Sequence, residues 1–220
     1  MGHPAGLSPA QRAFLDLLVA RQALKFGDFT LKSGRKSPYF VNTGCFNQGG
    51  DLSRLGRAYA DAMHRHLGSD IQVVFGPAYK GIPLALAAAQ AYEELVGRPV
   101  GWAFDRKEAK DHGDGGGFVG AAMAPGTRVA LVDDVITAGT AVRETMAKLV
   151  PLRLDVRGVV VAVDREEPGP GGVSAIGELR TAFGIPVVAG ITITEAADAL
   201  VADGRMDAQQ RQAISRYLGR

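Results

Sequence analysis

The chain has 220 residues, 46% hydrophobic and 22% charged, so it can bury a core of ordinary globular proportions. Lys and Arg total 25 against 23 Asp and Glu, a formal charge of +2 that is too balanced for a generic nucleic-acid binder. The lone cysteine, Cys45, excludes an intrachain disulfide, the N-terminal stretch MGHPAGLSPAQRAFL lacks the form of a signal peptide, and no window reaches the about 18 apolar residues of a spanning helix; a soluble cytoplasmic protein with neither nucleic-acid nor membrane partners is expected.

Ser8-Pro9 opens an amphipathic segment over residues 9–24. Ser8 suits an N-cap and Pro9 the first helical position, and Phe14, Leu17, Leu18 and Leu24 fall near helical spacing. Two short extended pieces follow, residues 28–31 and 39–42, joined by the basic connector Lys32-Ser33-Gly34-Arg35-Lys36-Ser37-Pro38; together they predict a small hairpin-like lobe. Residues 51–67 predict a second helix. Short, Val-rich apolar runs then recur at residues 71–75, 100–104, 128–132, 156–163 and 185–191. Strands buried on both faces have this composition. Helical stretches at 82–96 and 141–149 lie between several of them, and the alternation predicts an α/β fold with a mostly parallel sheet flanked by helices. Residues 195–201 and 207–218 predict two closing helices. There is no internal repeat, low-complexity tract or linker.

In such sheets ligands sit at the carboxyl ends of the strands. The run at 128–132 is followed by Asp133-Asp134-Val135-Ile136-Thr137-Ala138-Gly139-Thr140 and then a helix beginning near Ala141. Adjacent carboxylates can accept hydrogen bonds from a vicinal diol. The Thr-Ala-Gly-Thr turn can wrap a phosphate with backbone N–H groups, aided by the helix N-terminus. The chemistry matches a phosphorylated sugar. A bare Asp-Asp would equally suit a Mg²⁺ site of a nucleotidase, and Thr140 a simple helix cap. The full string VALVDDVITAGT is far more specific.

VALVDDVITAGT resembles the ribose-phosphate motif of the type I phosphoribosyltransferases, which bind 5-phosphoribosyl 1-pyrophosphate (PRPP). Four other stretches resemble the orotate-using branch of that family. LKFGDFTLKSGRKSPYF, residues 24–40, is similar to its base-binding hood. FGPAYKGIP, residues 75–83, is similar to its pyrophosphate loop, where the resemblance places a non-proline cis bond at Ala78–Tyr79. RKEAKDHG, residues 106–113, is similar to its catalytic loop, and Asp164-Arg165-Glu166 to the stretch that offers an Arg to the base. Order and spacing agree over residues 11–201.

The resemblance implies a type I phosphoribosyltransferase fold with a small N-terminal hood, residues 1–220 as one domain, its hood mainly within 8–48 and its core within 49–205. It implies transfer of phosphoribose from PRPP to orotate, giving orotidine 5′-monophosphate and pyrophosphate. Lys110, Asp111, Lys107 and His112 are the implied catalytic residues. PRPP would be met by Lys32, Tyr79, Lys80, Arg106, Lys107, Lys110, His112, Asp133, Asp134, Val135, Ile136, Thr137, Ala138, Gly139, Thr140 and Ala141, and orotate by Lys32, Phe40, Val41, Thr137 and Arg165. An Arg fork suits orotate's carboxylate, although Arg165 beside Glu166 and Glu167 also reads as a surface charge in an acidic turn. Mg²⁺ is the implied cofactor, held mainly by substrate and water with no direct protein ligand. The implied assembly is a homodimer whose loops close over each other's sites.

Gly115, Gly117 and Gly120 satisfy G-x-G-x-x-G, but a hydrophilic run precedes them where a dinucleotide fingerprint needs a strand. His64 and His66, two apart on a helix, point in different directions, and no motif makes Cys45 a nucleophile. A phosphoribosyltransferase for a purine base is disfavoured by the hood sequence and Arg165. A non-enzymatic PRPP sensor is disfavoured by the presence of Lys107, Lys110 and His112.

Overall fold

The five apolar runs become the parallel part of a six-stranded sheet, and the remaining elements surround it. The computed structural model describes residues 6–31, 34–106, 117–136, 139–169 and 171–220.

Helix α1 (Pro9–Ala20) is capped as expected: the Ser8 hydroxyl accepts from the Gln11 N–H while the Gln11 side chain accepts from the Ser8 N–H, satisfying two end donors reciprocally. It ends at Ala20 and does not run on to Leu24. Gln22 turns the chain at φ 53°, and Leu24 is instead the first residue of β1 (Leu24–Thr30), paired with Val41. β1 and β2 (Lys36–Val41) form a two-stranded antiparallel sheet, longer than the sequence suggests, with a register shift between Phe26 and Phe29.

Helix α2 (Gly49–Leu67) leads to β3 (Val73–Phe75), α3 (Gly81–Val96), β4 (Gly101–Asp105), the short β5 (Phe118–Gly120) and β6 (Arg128–Asp133). Then come α4 (Thr140–Leu149), β7 (Asp155–Asp164), α5 (Ala175–Phe183), β8 (Val187–Thr192), α6 (Ile193–Ala202) and α7 (Ala208–Leu218). The sheet order is β5-β4-β3-β6-β7-β8, with only β5 antiparallel. Neither β5 nor α5 was evident in the sequence. β5 is three residues of edge strand, and α5 begins behind a Pro- and Gly-rich stretch at its Ser174 cap.

Side chains alternate across the strands, which makes two cores from one sheet. Val74, Ala130, Val132, Val160 and Ala162 pack with Phe14, Leu18, Tyr59, Met63, Tyr92, Ile193 and Leu200 from α1, α2, α3 and α6. Val73, Phe75, Val129, Leu131, Val159 and Val161 pack on the other face with Val142, Met146, Ile176 and Leu179 from α4 and α5. This double burial is why the strands read as continuous apolar runs. Each fully buried Val or Leu contributes about 1.5–3 kcal/mol. The consequence for function is geometric. All five parallel strands deliver their next residues to one edge of the sheet, and the β1–β2 hairpin is fixed to the protein there by Tyr39, whose ring meets Tyr217 of α7 edge-on at 5.6 Å.

Candidate active site

The turn after β3 is tight. A Cβ on Gly76 would lie 2.0 Å from the Gly81 carbonyl oxygen, so only glycine allows the approach. The Ala78–Tyr79 peptide is cis, at the bond the resemblance marked. The Ala78 N–H donates to Asp105 Oδ1 at 2.8 Å. Tyr79 is 72% exposed, and Lys80 reaches across to Asp134 Oδ2 at 2.9 Å.

Asp133 and Asp134 leave the end of β6 half-buried and fixed by their surroundings. The Tyr59 hydroxyl donates to the Asp133 carbonyl at 2.6 Å, and Asp133 Oδ1 accepts the Asp134 N–H at 2.8 Å. Asp134 Oδ1 accepts the Val135 N–H at 2.7 Å, while Oδ2 takes both Lys80 and the Thr43 hydroxyl, the latter at 3.1 Å. Burial pushes the Asp133 carboxyl up to about 6, with the neighbouring Asp134 charge adding to the rise. The hydrogen bond to Asp134 holds the Lys80 ammonium above its usual range. Val135 and Ile136 follow, half-buried; Thr137 and Ala138 lie outside the described residues. Gly139, not Thr140, is the N-cap of α4, at φ 72° and with no side-chain cap, which removes the simple-cap reading of Thr140. Thr140 and Ala141 are the exposed first residues of α4, at the end that favours anions.

After β7, Arg165 is not a loose surface charge. Its side chain is only 18% exposed and donates to Glu167 Oε1 at 2.6 Å, while its Nε is buried without a hydrogen-bond partner among the described residues. The Tyr39 hydroxyl donates to the Arg165 carbonyl at 2.6 Å, and Glu167 also pairs with Arg35 of the hairpin connector. Burial, with Glu167 close by, pushes the Tyr39 phenol up and keeps it a donor. Phe40 is 39% exposed and stacks on Phe29 at 5.7 Å, while Val41 is half-buried and packs against the core. Lys32 lies outside the described residues.

β4 delivers Asp105 and Arg106 to the same edge. The Arg106 N–H closes onto the Gly117 carbonyl at 2.7 Å, and its Nε is buried with no partner among the described residues. Lys107, Lys110, Asp111 and His112 lie outside the described residues. Gly117 and Gly120 belong to the approach and end of the edge strand β5, and no helix intervenes before β6, so the G-x-G-x-x-G match has no dinucleotide context. His64 and His66 are exposed on the last turn of α2.

Sequence reasoning missed four residues: Tyr59, Thr43, Asp105 and Glu167. Tyr59 and Thr43 reach Asp133 and Asp134 from α2 and the segment after β2, Asp105 reaches the Ala78 N–H from β4, and Glu167 holds Arg165 from two residues away. Of these, only Glu167 carried a visible signal, its place two residues after Arg165.

Acid-ended strands, a glycine-tight turn and a helix N-terminus gather at the carboxyl ends of the parallel strands, an arrangement suited to a phosphorylated sugar. Residues 46–177 match the phosphoribosyl transferase domain family. The chain is 50% identical over 189 residues to the orotate phosphoribosyltransferase of Salmonella paratyphi A, covering 86% of this chain and 87% of that one. It is 48% identical over 213 residues to that of Pseudomonas putida (strain W619), covering 96% and 97%. The crystal structure of the Francisella tularensis orotate phosphoribosyltransferase superposes with a TM-score of 0.79 at 38% identity, over 93% of this chain and 96% of that one. The chain belongs to the orotate phosphoribosyltransferase family.

Proposed function

We propose that this protein transfers the phosphoribosyl group of PRPP to orotate, releasing pyrophosphate and forming orotidine 5′-monophosphate for pyrimidine synthesis. The observation that carries the reading is the meeting of Asp133–Asp134 with Lys80 at the sheet edge. Asp133 and Asp134 take the ribose diol, the N-terminal turn of α4 takes the 5′-phosphate, and Lys80 faces the pyrophosphate. In the reaction the bond from the anomeric carbon to pyrophosphate breaks, that carbon gains positive character, and a ring nitrogen of orotate closes on it. Fixed cations serve best where the leaving group gathers charge. Lys80 and Arg106 provide them, with Lys107, Lys110 and His112 arriving from the loop and Asp111 beside them. Arg165 and Lys32 meet the base carboxylate, with Phe40 and Val41 at its ring. Orotate can already be anionic at its ring nitrogen, so no strong base is needed.

The oxygen-only donors Asp133 and Asp134 suit a hard dication that reaches the protein through substrate hydroxyls and water. Mg²⁺, when bound with PRPP, neutralises charge on pyrophosphate. We place the protein in the cytoplasm as a homodimer with shared sites. Among the described residues no helix is long and apolar enough to cross a membrane, and Leu86, Leu95 and Trp102 are exposed apolar side chains available to a partner copy.

Orotate-dependent pyrophosphate release from PRPP, with and without Mg²⁺, tests the reading. Turnover of a purine base alone would overturn it.

A further inference from the structure

We infer that Asp105 is a positioning residue for the pyrophosphate turn, tying that turn to the root of the catalytic loop and to helix α4. The inference rests on the assignment of the 76–80 turn to pyrophosphate. Asp105 is only 4% exposed, which is costly for a carboxylate unless both oxygens are answered. Both are: Oδ1 accepts the Ala78 N–H at 2.8 Å, and Oδ2 pairs with the Lys148 ammonium. Three segments converge on this one group. The first is the turn that carries Tyr79 and Lys80. The second is the chain immediately preceding the loop, where Arg106 closes onto Gly117. The third is α4, which bears Lys148 near its C-terminal end and begins, one turn beyond Asp133 and Asp134, at Thr140.

The register of the sheet explains the reach. β4 runs parallel to β3 with Ala103 opposite Phe75, so Asp105 extends past the end of β3 beside the turn that follows it. Gly76 N–H bonds to Ala103 carbonyl at 3.0 Å and continues the pairing into that turn. A bare carboxylate so close to a pyrophosphate site would repel the substrate. Lys148 answers that charge, so what Asp105 supplies is position. A small displacement of reacting groups has large kinetic effects. Holding the Ala78 amide therefore sets where Lys80 stands when PRPP arrives.

Steady-state kinetics of the full chain, with thermal melts alongside, test the inference. Asp105→Ala raises KM for PRPP and weakens inhibition by pyrophosphate about tenfold, while KM for orotate stays within about twofold. Asp105→Asn retains an oxygen for the Ala78 N–H, and Lys148 is exposed enough to swing into water; this variant restores most of the PRPP affinity. Should Asp105→Ala fail to fold, Asp105→Glu displaces the carboxylate by one methylene and shows the same split. Unchanged KM for PRPP, or equal shifts in both KM values with a lowered Tm, would show a merely structural residue and overturn the inference. Absence of orotate-dependent turnover in the unaltered protein is a separate result, which overturns the proposed function instead.

Discussion

Lys80 and Asp134 meet at 2.9 Å, joining the turn after β3 to the turn after β6. The Lys80 side chain is 78% exposed. Exposed pairs of this kind contribute only about 0–1 kcal/mol to stability. The proposed phosphorylated substrate would therefore meet a lysine already drawn toward Asp134, and displacing it from that carboxylate costs little. Lys80→Ala is expected to leave Tm nearly unchanged while lowering kcat/KM for PRPP by about 10–100-fold, the range for loss of a charge-assisted hydrogen bond. Thermal melts and initial rates measure both; a large fall in Tm with normal kinetics would assign Lys80 to the scaffold.

Asp133 links stability to pH. Burial raises its carboxyl from 3.8 to about 6 in the folded protein. The folded state thus holds the proton more tightly than the unfolded chain, so this group's contribution to stability is fully present below about pH 4 and is lost as pH rises through about 6. The ionised form at neutral pH costs about 3 kcal/mol. Asp133→Asn, which keeps the oxygen that accepts the Asp134 N–H, should stabilise the protein at about pH 7 and have little effect at about pH 4. Chemical denaturation at the two pH values decides the matter; an equal difference at both contradicts it.

The same carboxylates are assigned to the ribose diol. Asp133→Asn combined with Asp134→Asn should weaken PRPP binding by at least about tenfold, read by calorimetry. A gain in stability paired with a loss of affinity is the signature of charges kept for binding. Unchanged affinity would contradict the diol assignment.

The Arg165 guanidinium is held by Glu167 and its backbone carbonyl by the Tyr39 hydroxyl, which fixes the fork we propose for the base. Arg165→Ala should raise KM for orotate about 10–100-fold while leaving KM for PRPP nearly unmoved. Tyr39→Phe removes the hydroxyl that binds the Arg165 carbonyl and should shift KM for orotate in the same direction by less. Equal changes in both KM values would place Arg165 outside the base site.

The proposed sharing of sites between two copies predicts complementation. Lys110→Ala should lower kcat strongly, because its partner charge develops mainly in the transition state. Mixing that inactive variant with the Asp133→Asn, Asp134→Asn variant, after dissociation and reassociation, should recover activity. One site of each hybrid dimer then carries neither defect. No recovery would mean that the loop serves its own subunit.

Particular residues show where sequence reading succeeds. The strand runs were legible because burial on both faces leaves no polar alternation to obscure them, and Asp133 and Asp134 were legible at the end of β6 because a strand end is a local device of consecutive residues. The Ser8 cap was legible for the same reason. The end of α1 was not. Leu24 keeps helical spacing, but its pairing with Val41 and the turn at Gln22 override it. β5 exists only because β4 offers it an edge.

By itself, then, the sequence determined the alternation of strands and helices, the acidic residues at the end of β6 and the family resemblance, because each resides in contiguous residues and their periodicity. Tertiary structure alone decided which distant group holds each site residue: Lys148 at Asp105 across 43 positions, Thr43 at Asp134 across 91, and Arg35 at Glu167 across 132. Such pairs depend on strand order and on how the hairpin seats against the sheet edge. No local pattern encodes them, because an ion pair or hydrogen bond requires proximity in space and places no constraint on the residues that lie between its partners.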